Sequence, residues 1–288
     1  MAATDPDAED WPTNGDYVPP YGGYLKTRDG VDLATLIYSN DFFWDSTPGP
    51  IIMMRSPYDI SGDSSDLTAW NYVNTYPGSY VVTQDMRGRY HSDGVDRLFG
   101  DDWQDGYDTY LYLKNDPTFN WMWDGKLASW GASALCINQY CYAGEDIPEL
   151  RAQYLSVGSP EQYDHIFYQG GQFRYNMIKQ WSQSQGSSSW AYARDTLSQH
   201  PKKDSWWAKR SLEMGNRFAN VHASAVHYGG WDDPFSQGTI RGFMGYNYEG
   251  ASDARGHQIL ILGGIGHGFI VGDINWPDAM SIPSAGSD

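Results

Sequence analysis

Cysteine is scarce: Cys136 and Cys141 are the only two and share one segment. Their spacing suits neither a disulfide framework nor a zinc site. Basic residues are also few. Nineteen Lys and Arg stand against 36 Asp and Glu, a formal net charge of -17. Such a surface repels phosphate backbones, so a nucleic-acid partner is not expected. No run approaches the roughly 18 uninterrupted apolar residues of a membrane span, so no membrane partner is expected either. The start from Met1 to Asp7 has neither a basic nor an apolar leader, and no asparagine sits in an Asn-x-Ser/Thr acceptor. A cytoplasmic address is therefore the expectation. His91, His165, His200, His222, His227 and His257 show no metal-ligand spacing and are read as packing or surface residues; no cofactor is expected.

Enough apolar material is nonetheless present. Hydrophobic residues make up 40% of 288, which supports a sizeable core in one large domain or two small ones. The segment 1–22, rich in Asp, Pro and Gly, reads as an extended arm. Asp29-Gly30 is a hairpin turn signal between Gly23–Thr27 and Val31–Tyr38. The runs Ile51–Met54 and Tyr80–Gln84 are short, apolar and bounded by Pro or Gly, as buried parallel strands are. Gly106–Leu113 has helical character, and Lys126–Trp130 leads into an apolar helix over Ala134–Ala143. Strand-like runs resume at His222–His227 and Gln258–Leu262. Strands alternating with helical stretches predict an α/β fold with a mostly parallel sheet. Residues 160–215, rich in Gln, Ser, Tyr and Trp, read as a helical cap insertion; residues 23–159 and 216–288 form the core.

The sharpest chemical feature is Gly131-Ala132-Ser133-Ala134-Leu135, after a strand and before a helix. A turn this tight can hold a serine hydroxyl up at the carboxyl end of a sheet, where the helix N-terminus favours an oxyanion. The match to Gly-x-Ser-x-Gly is incomplete, because Leu135 stands at the second Gly, and an ordinary turn serine reads the same way. A nucleophile needs a base and an orienting acid, following in the order Ser, Asp/Glu, His. Asp233 comes after the strand ending at His227, and His267 after the strand Gln258–Leu262, both where α/β active sites collect. Asp233 before Pro234 could instead cap a helix, and His267 could be a loop histidine.

At these residues the chain resembles the acyl-hydrolase family that includes cocaine esterase, glutaryl acylases, α-amino acid ester hydrolases and X-Pro dipeptidyl peptidases. The carriers are Arg28–Thr35, Arg55–Asp59, Gln84–Gly88 with Ser92 and Gly94, Asp105–Thr109, Ser133–Gln139, Gly229–Asp233 and Gly266–Gly268. The resemblance implies an α/β-hydrolase fold and a serine acyl hydrolase of carboxylic esters. Ser133 then stands at the nucleophile, Asp233 at the acid, His267 at the base, and Tyr58 with the Ala134 amide at the oxyanion hole. Asp232 is the rival acid, at a place where the family usually has an aromatic residue. Asp85 and Arg87 read as an ion pair beneath the site.

The departures also carry expectations. The family elbow often reads Gly-x-Ser-Tyr-Leu-Gly, whereas Ala134 and Cys136 stand here; both are small. Gly264-Ile265-Gly266 replaces the usual Pro-Trp before the histidine. The chain stops at Asp288, where family members continue into a C-terminal jelly roll, so that domain is expected to be absent. Trp181, Trp190, Trp206 and Trp207 would either line the site for apolar acyl groups or form the insertion's own core. The substrate expected is a small-molecule ester or amide. Pro234, Phe235 and Ser236 occupy places where the amino-ester branch has amine-binding acids, which argues against that branch. The alternatives are an X-Pro dipeptidyl-peptidase-like amide hydrolase and a non-catalytic homologue acting as a binding protein.

Overall fold

The short apolar runs become strands, and the turns between them set the strand directions. The computed structural model describes residues 21–40, 47–264 and 266–267. Strands β1 (Tyr21–Lys26) and β2 (Asp32–Tyr38) form the expected hairpin around Gly30, whose φ of 85° is the left-handed conformation that turn requires. Then come β3 (Gly49–Ser56), α1 (Asp63–Thr75), β4 (Tyr80–Asp85), α2 (Asp102–Asn115), β5 (Trp123–Ala132), α3 (Ala134–Ala143) and β6 (Leu150–Ser156). After an irregular helical stretch holding α4 (Tyr175–Ser184) and α5 (Ser187–Asp195), the sheet resumes with β7 (Ser224–Gly230), α6 (Ser236–Glu249) and β8 (Gln258–Gly263). The arm read over residues 1–22 falls outside the described residues except for Tyr21 and Gly22, which begin β1.

The eight described strands form one sheet in the order β1-β2-β4-β3-β5-β6-β7-β8. Among them only β2 runs against the rest, pairing antiparallel with both β1 and β4. This is the mostly parallel sheet of the α/β-hydrolase fold. Every residue of β4 is buried, as a central parallel strand covered on both faces must be. One face packs through Ile51, Met53, Val82, Leu127, Tyr140 and Phe218, the other through Leu36, Tyr38, Met54, Ile60 and Val73. No helix among the described residues is long and apolar enough to cross a membrane.

A buried ionic layer locks the carboxyl ends of the central strands. Arg55, at the end of β3, donates from Nε to Gln84 at 2.7 Å and pairs through Nη1 with Asp102 at 2.6 Å. Desolvation raises the Asp102 carboxyl to about 6, with the Arg55 charge opposing. Removing either partner would strand the other charge in the interior. Asp85 and Arg87 do not pair with each other, contrary to the sequence reading. Arg87 holds Asp105 and Asp29 at 2.6 and 2.8 Å. Asp85 instead accepts from the backbone amides of Ile60 at 3.0 Å and His91 at 3.1 Å. It thereby fastens the loop after β3.

Candidate active site

Each candidate side chain sits just past the carboxyl end of a parallel strand. Ser133 links β5 to α3, with φ 56° and ψ -120°, a conformation L residues avoid. The local packing accounts for it. A Cβ on Gly131 would lie 2.3 Å from the Leu135 Cβ, so the chain can fold back this sharply only with glycine there. Gly131→Ala should therefore cost about 1–3 kcal/mol of stability. A lowered urea midpoint is the expected measurement; an unchanged midpoint would mean the elbow relaxes.

The turn raises the Ser133 Oγ to 2.8 Å from His267 Nε2. The other ring nitrogen, Nδ1, lies 2.6 Å from Asp233 Oδ2. A neutral imidazole donating from Nδ1 to this carboxylate presents Nε2 to accept from the serine hydroxyl. Asp233 is buried, and its second oxygen accepts the Phe235 amide at 2.6 Å. Strand β7 runs to Gly230, three residues beyond the His227 end read from the sequence, so Asp233 closes the first turn after it. Asp232, the rival acid, is exposed and outside this chain of hydrogen bonds. Ile265 and Gly268, which flank the histidine motif, lie outside the described residues.

Ala134 is the first residue of α3, so its N–H has no acceptor within the helix and faces the turn. Tyr58 follows β3 on the same rim. Its amide donates to Ser56 Oγ at 2.9 Å, which fixes the loop. Its hydroxyl accepts from the Trp181 indole N–H at 3.2 Å, and the Ser133 side chain is a second hydrogen-bonding neighbour. Desolvation raises the phenol above its ordinary pKa, with the Trp181 donor and the Arg89 charge opposing, so the proton stays on. Cys136 is no rival nucleophile. Burial and then the Asp233 charge hold its thiol pKa well up, so no thiolate is available.

Beside the serine lies a cavity of about 280 Å³. Its walls include Phe99, Ile137, Phe167, Ile178, Trp181 and Phe235; among its described lining residues there is no carboxylate, lysine or arginine, and His267 is the one titratable side chain. Of the four tryptophans singled out in the insertion, only Trp181 reaches it. Trp190, Trp206 and Trp207 pack with Tyr163, Phe167 and Tyr168 into a cluster that the insertion shares with Met86, Phe99, Ile137 and Cys141 of the main body. Phe99 and Arg89 were not anticipated. Phe99 stacks on Trp181 with centroids 5.7 Å apart, a long-range contact with no local sequence signal. Arg89 could have been suspected from its place two residues after Arg87 in the family-like segment.

Three of the remaining histidines have other side-chain partners. His227 is buried against Tyr140, and desolvation pushes its pKa down to about 3. His200 stacks on Trp206, and His222 lies between Asp146 and Asp253. Two groups of described residues bring potential metal-ligand atoms together: Asp59, Asp85 and His91, and Glu161, Asp164 and Glu213. In the second, Lys203 Nζ already supplies the positive charge, 2.5 to 3.3 Å from all three carboxylates.

Comparison with known proteins agrees with this architecture. The model of the X-Pro dipeptidyl-peptidase (S15 family) matches residues 29–196 and 187–268. The cocaine esterase of Rhodococcus sp. (strain MB1 Bresler) is 25% identical over 309 aligned residues, covering 90% of this chain and 50% of that protein. The chain thus spans about half the length of this curated relative. A CocE/NonD family hydrolase from Staphylococcus aureus superposes with a TM-score of 0.64 at 18% identity, over 84% of this chain and 45% of that one. An aminopeptidase from a marine-sediment Thaumarchaeota archaeon gives 0.65 at 21% identity, over 92% and 52%. The two structures share the fold, and the family model spans both Ser133 and His267: the chain belongs to the X-Pro dipeptidyl-peptidase (S15) family.

Proposed function

We propose that the protein is a serine acyl hydrolase acting on carboxylic esters of small apolar acids. The observation that carries this reading is the hydrogen-bonded chain from Ser133 through His267 to buried Asp233, set against an apolar cavity. His267 Nε2 takes the hydroxyl proton as Ser133 Oγ attacks the carbonyl carbon. Asp233 holds the ring and stabilises its cation. The negative charge developing on the carbonyl oxygen is met by the Ala134 N–H and the Tyr58 hydroxyl. Collapse expels the alcohol, protonated by His267, and water then releases the acid from the acyl-enzyme by the same route reversed.

The cavity favours a neutral acyl group. Its volume of about 280 Å³ falls just below the roughly 300–1,000 Å³ usual for ligand sites, which suits one short or aromatic acyl chain. A peptide amine would need a carboxylate partner, and the described lining has none. A butyrate ester should therefore be hydrolysed with a higher kcat/KM than an Ala-Pro amide; preference for the amide would transfer the assignment to X-Pro amide hydrolysis. A fluorophosphonate probe should label the folded protein stoichiometrically at Ser133. A folded sample that takes up no label would make it a binding homologue instead.

A further inference from the structure

The Tyr58 hydroxyl has one proton, and the direction in which it points decides whether it can serve an oxyanion. A phenol also accepts a hydrogen bond, and the partner that donates to it fixes the rotor. That partner is not on the sheet. It is the indole N–H of Trp181 in α4, at 3.2 Å. We infer that Trp181 is a positioning residue for the oxyanion hole: its N–H occupies the acceptor side of the Tyr58 oxygen and leaves the O–H aimed toward Ser133. This deepens the proposed hydrolase reading and rests on the role given there to Tyr58.

Three further observations show that the two partners are held in register. The Trp181 ring is stacked on Phe99 at an interplanar angle of 9°, which fixes the plane in which its N–H points. The loop that carries Tyr58 and the end of the helix that carries Trp181 are gripped by one guanidinium. Arg89, 4% exposed, donates through Nε and Nη2 to the Pro57 carbonyl at 3.2 and 3.0 Å, immediately before Tyr58. Its Nη2 also donates to the Gln185 side-chain oxygen at 2.6 Å, at the C-terminus of α4. Through Nη1 it reaches Ser189 in α5 at 3.0 Å. The rigid planar fork of arginine fixes the separation of the loop and the helix. Hydrogen bonds in series also polarise one another, so the indole donor strengthens the phenol as a donor in turn. The oxyanion hole is thus completed by a residue of the segment between β6 and β7, and both substrate contact and charge stabilisation depend on α4 being in place.

A double-mutant cycle tests this. Trp181→Phe keeps an aromatic ring against Phe99 and removes the N–H along with part of the indole's packing surface, and the cycle separates the two effects. In the otherwise unchanged enzyme it should lower kcat on a butyrate ester by about 5- to 10-fold, with KM shifting by less than about 3-fold. In a Tyr58→Phe background the same substitution should change kcat by less than about 2-fold, because the hydroxyl it positions is gone. Equal losses in the two backgrounds would show that Trp181 acts through packing and overturn the inference, as would an unaltered kcat in Trp181→Phe alone. Fluorophosphonate labelling of Ser133 in each variant keeps this separate from the hydrolase reading. Labelling with additive losses sinks only the Trp181 role, whereas no labelling of the folded wild-type protein sinks the reading beneath it.

Discussion

Replacing Ser133 by Ala is expected to lower kcat on a small activated ester by about 10⁴- to 10⁶-fold, the range seen when a nucleophile is removed from such a triad. The residual rate would come from binding and from the oxyanion donors alone. Folding should survive the change. The Ser133 side chain makes its hydrogen bonds at the mouth of the site, to His267 and near Tyr58, and its backbone bonds do not depend on the hydroxyl. Alanine keeps the Cβ that already fits this backbone conformation, so the variant adds no new crowding at the φ of 56°. Circular dichroism and the thermal midpoint should match the parent, and the fluorophosphonate label should disappear. Retained turnover in a folded Ser133→Ala protein would place the nucleophile elsewhere and remove the central assignment.

Much of the candidate site's geometry was readable in the chain because it depends on local punctuation. A glycine two residues before Ser133, a strand before it and an apolar helix after it are all short-range signals. Their joint effect, the elbow, follows from the close approach of Gly131 to Leu135. The order Ser133, Asp233, His267 could likewise be matched to strand ends without knowing any distance. What escaped was what depends on tertiary packing. Helix α6 carries Gly238, Gly242 and Gly245, and glycine's low helix propensity disguises the segment. In the fold these glycines let the helix lie close to Ser159, to Tyr140 and His227, and to Phe218, where any Cβ would sit 2.2–2.3 Å from a neighbour. Packing therefore overrides propensity there. Helix α1 was missed because its apolar residues form only a thin stripe, Ala69 and Val73 being its fully buried hydrophobic residues among those described. The Asp85–Arg87 pairing failed for a related reason. Both residues lie in one sequence motif, but Asp85 ends a strand and Arg87 follows in the turn, so their side chains reach different partners.

Tyr58→Phe should reduce kcat by about 100- to 1,000-fold, or roughly 3–4 kcal/mol of transition-state stabilisation, the usual cost of losing one oxyanion donor. KM should change far less, since the hydroxyl meets charge that exists only as the tetrahedral intermediate forms. The ring stays in place after this change. Its loop is fixed by the Tyr58 amide donating to Ser56 Oγ and by Arg89 on the Pro57 carbonyl, neither of which uses the Tyr58 hydroxyl. The Trp181 N–H loses its acceptor, but Trp181 borders the cavity, where solvent can take over that bond. The thermal midpoint should accordingly move by no more than about 2 °C. The split between kcat and KM is the decisive readout. If Tyr58 only packs beside the serine, its hydroxyl should be dispensable and kcat should stay near the parent value. If it only contacts the bound ester, KM should rise while kcat holds. A large fall in kcat at nearly constant KM, in a protein as stable as the parent, is the result that a phenol shared between Trp181 and the oxyanion requires.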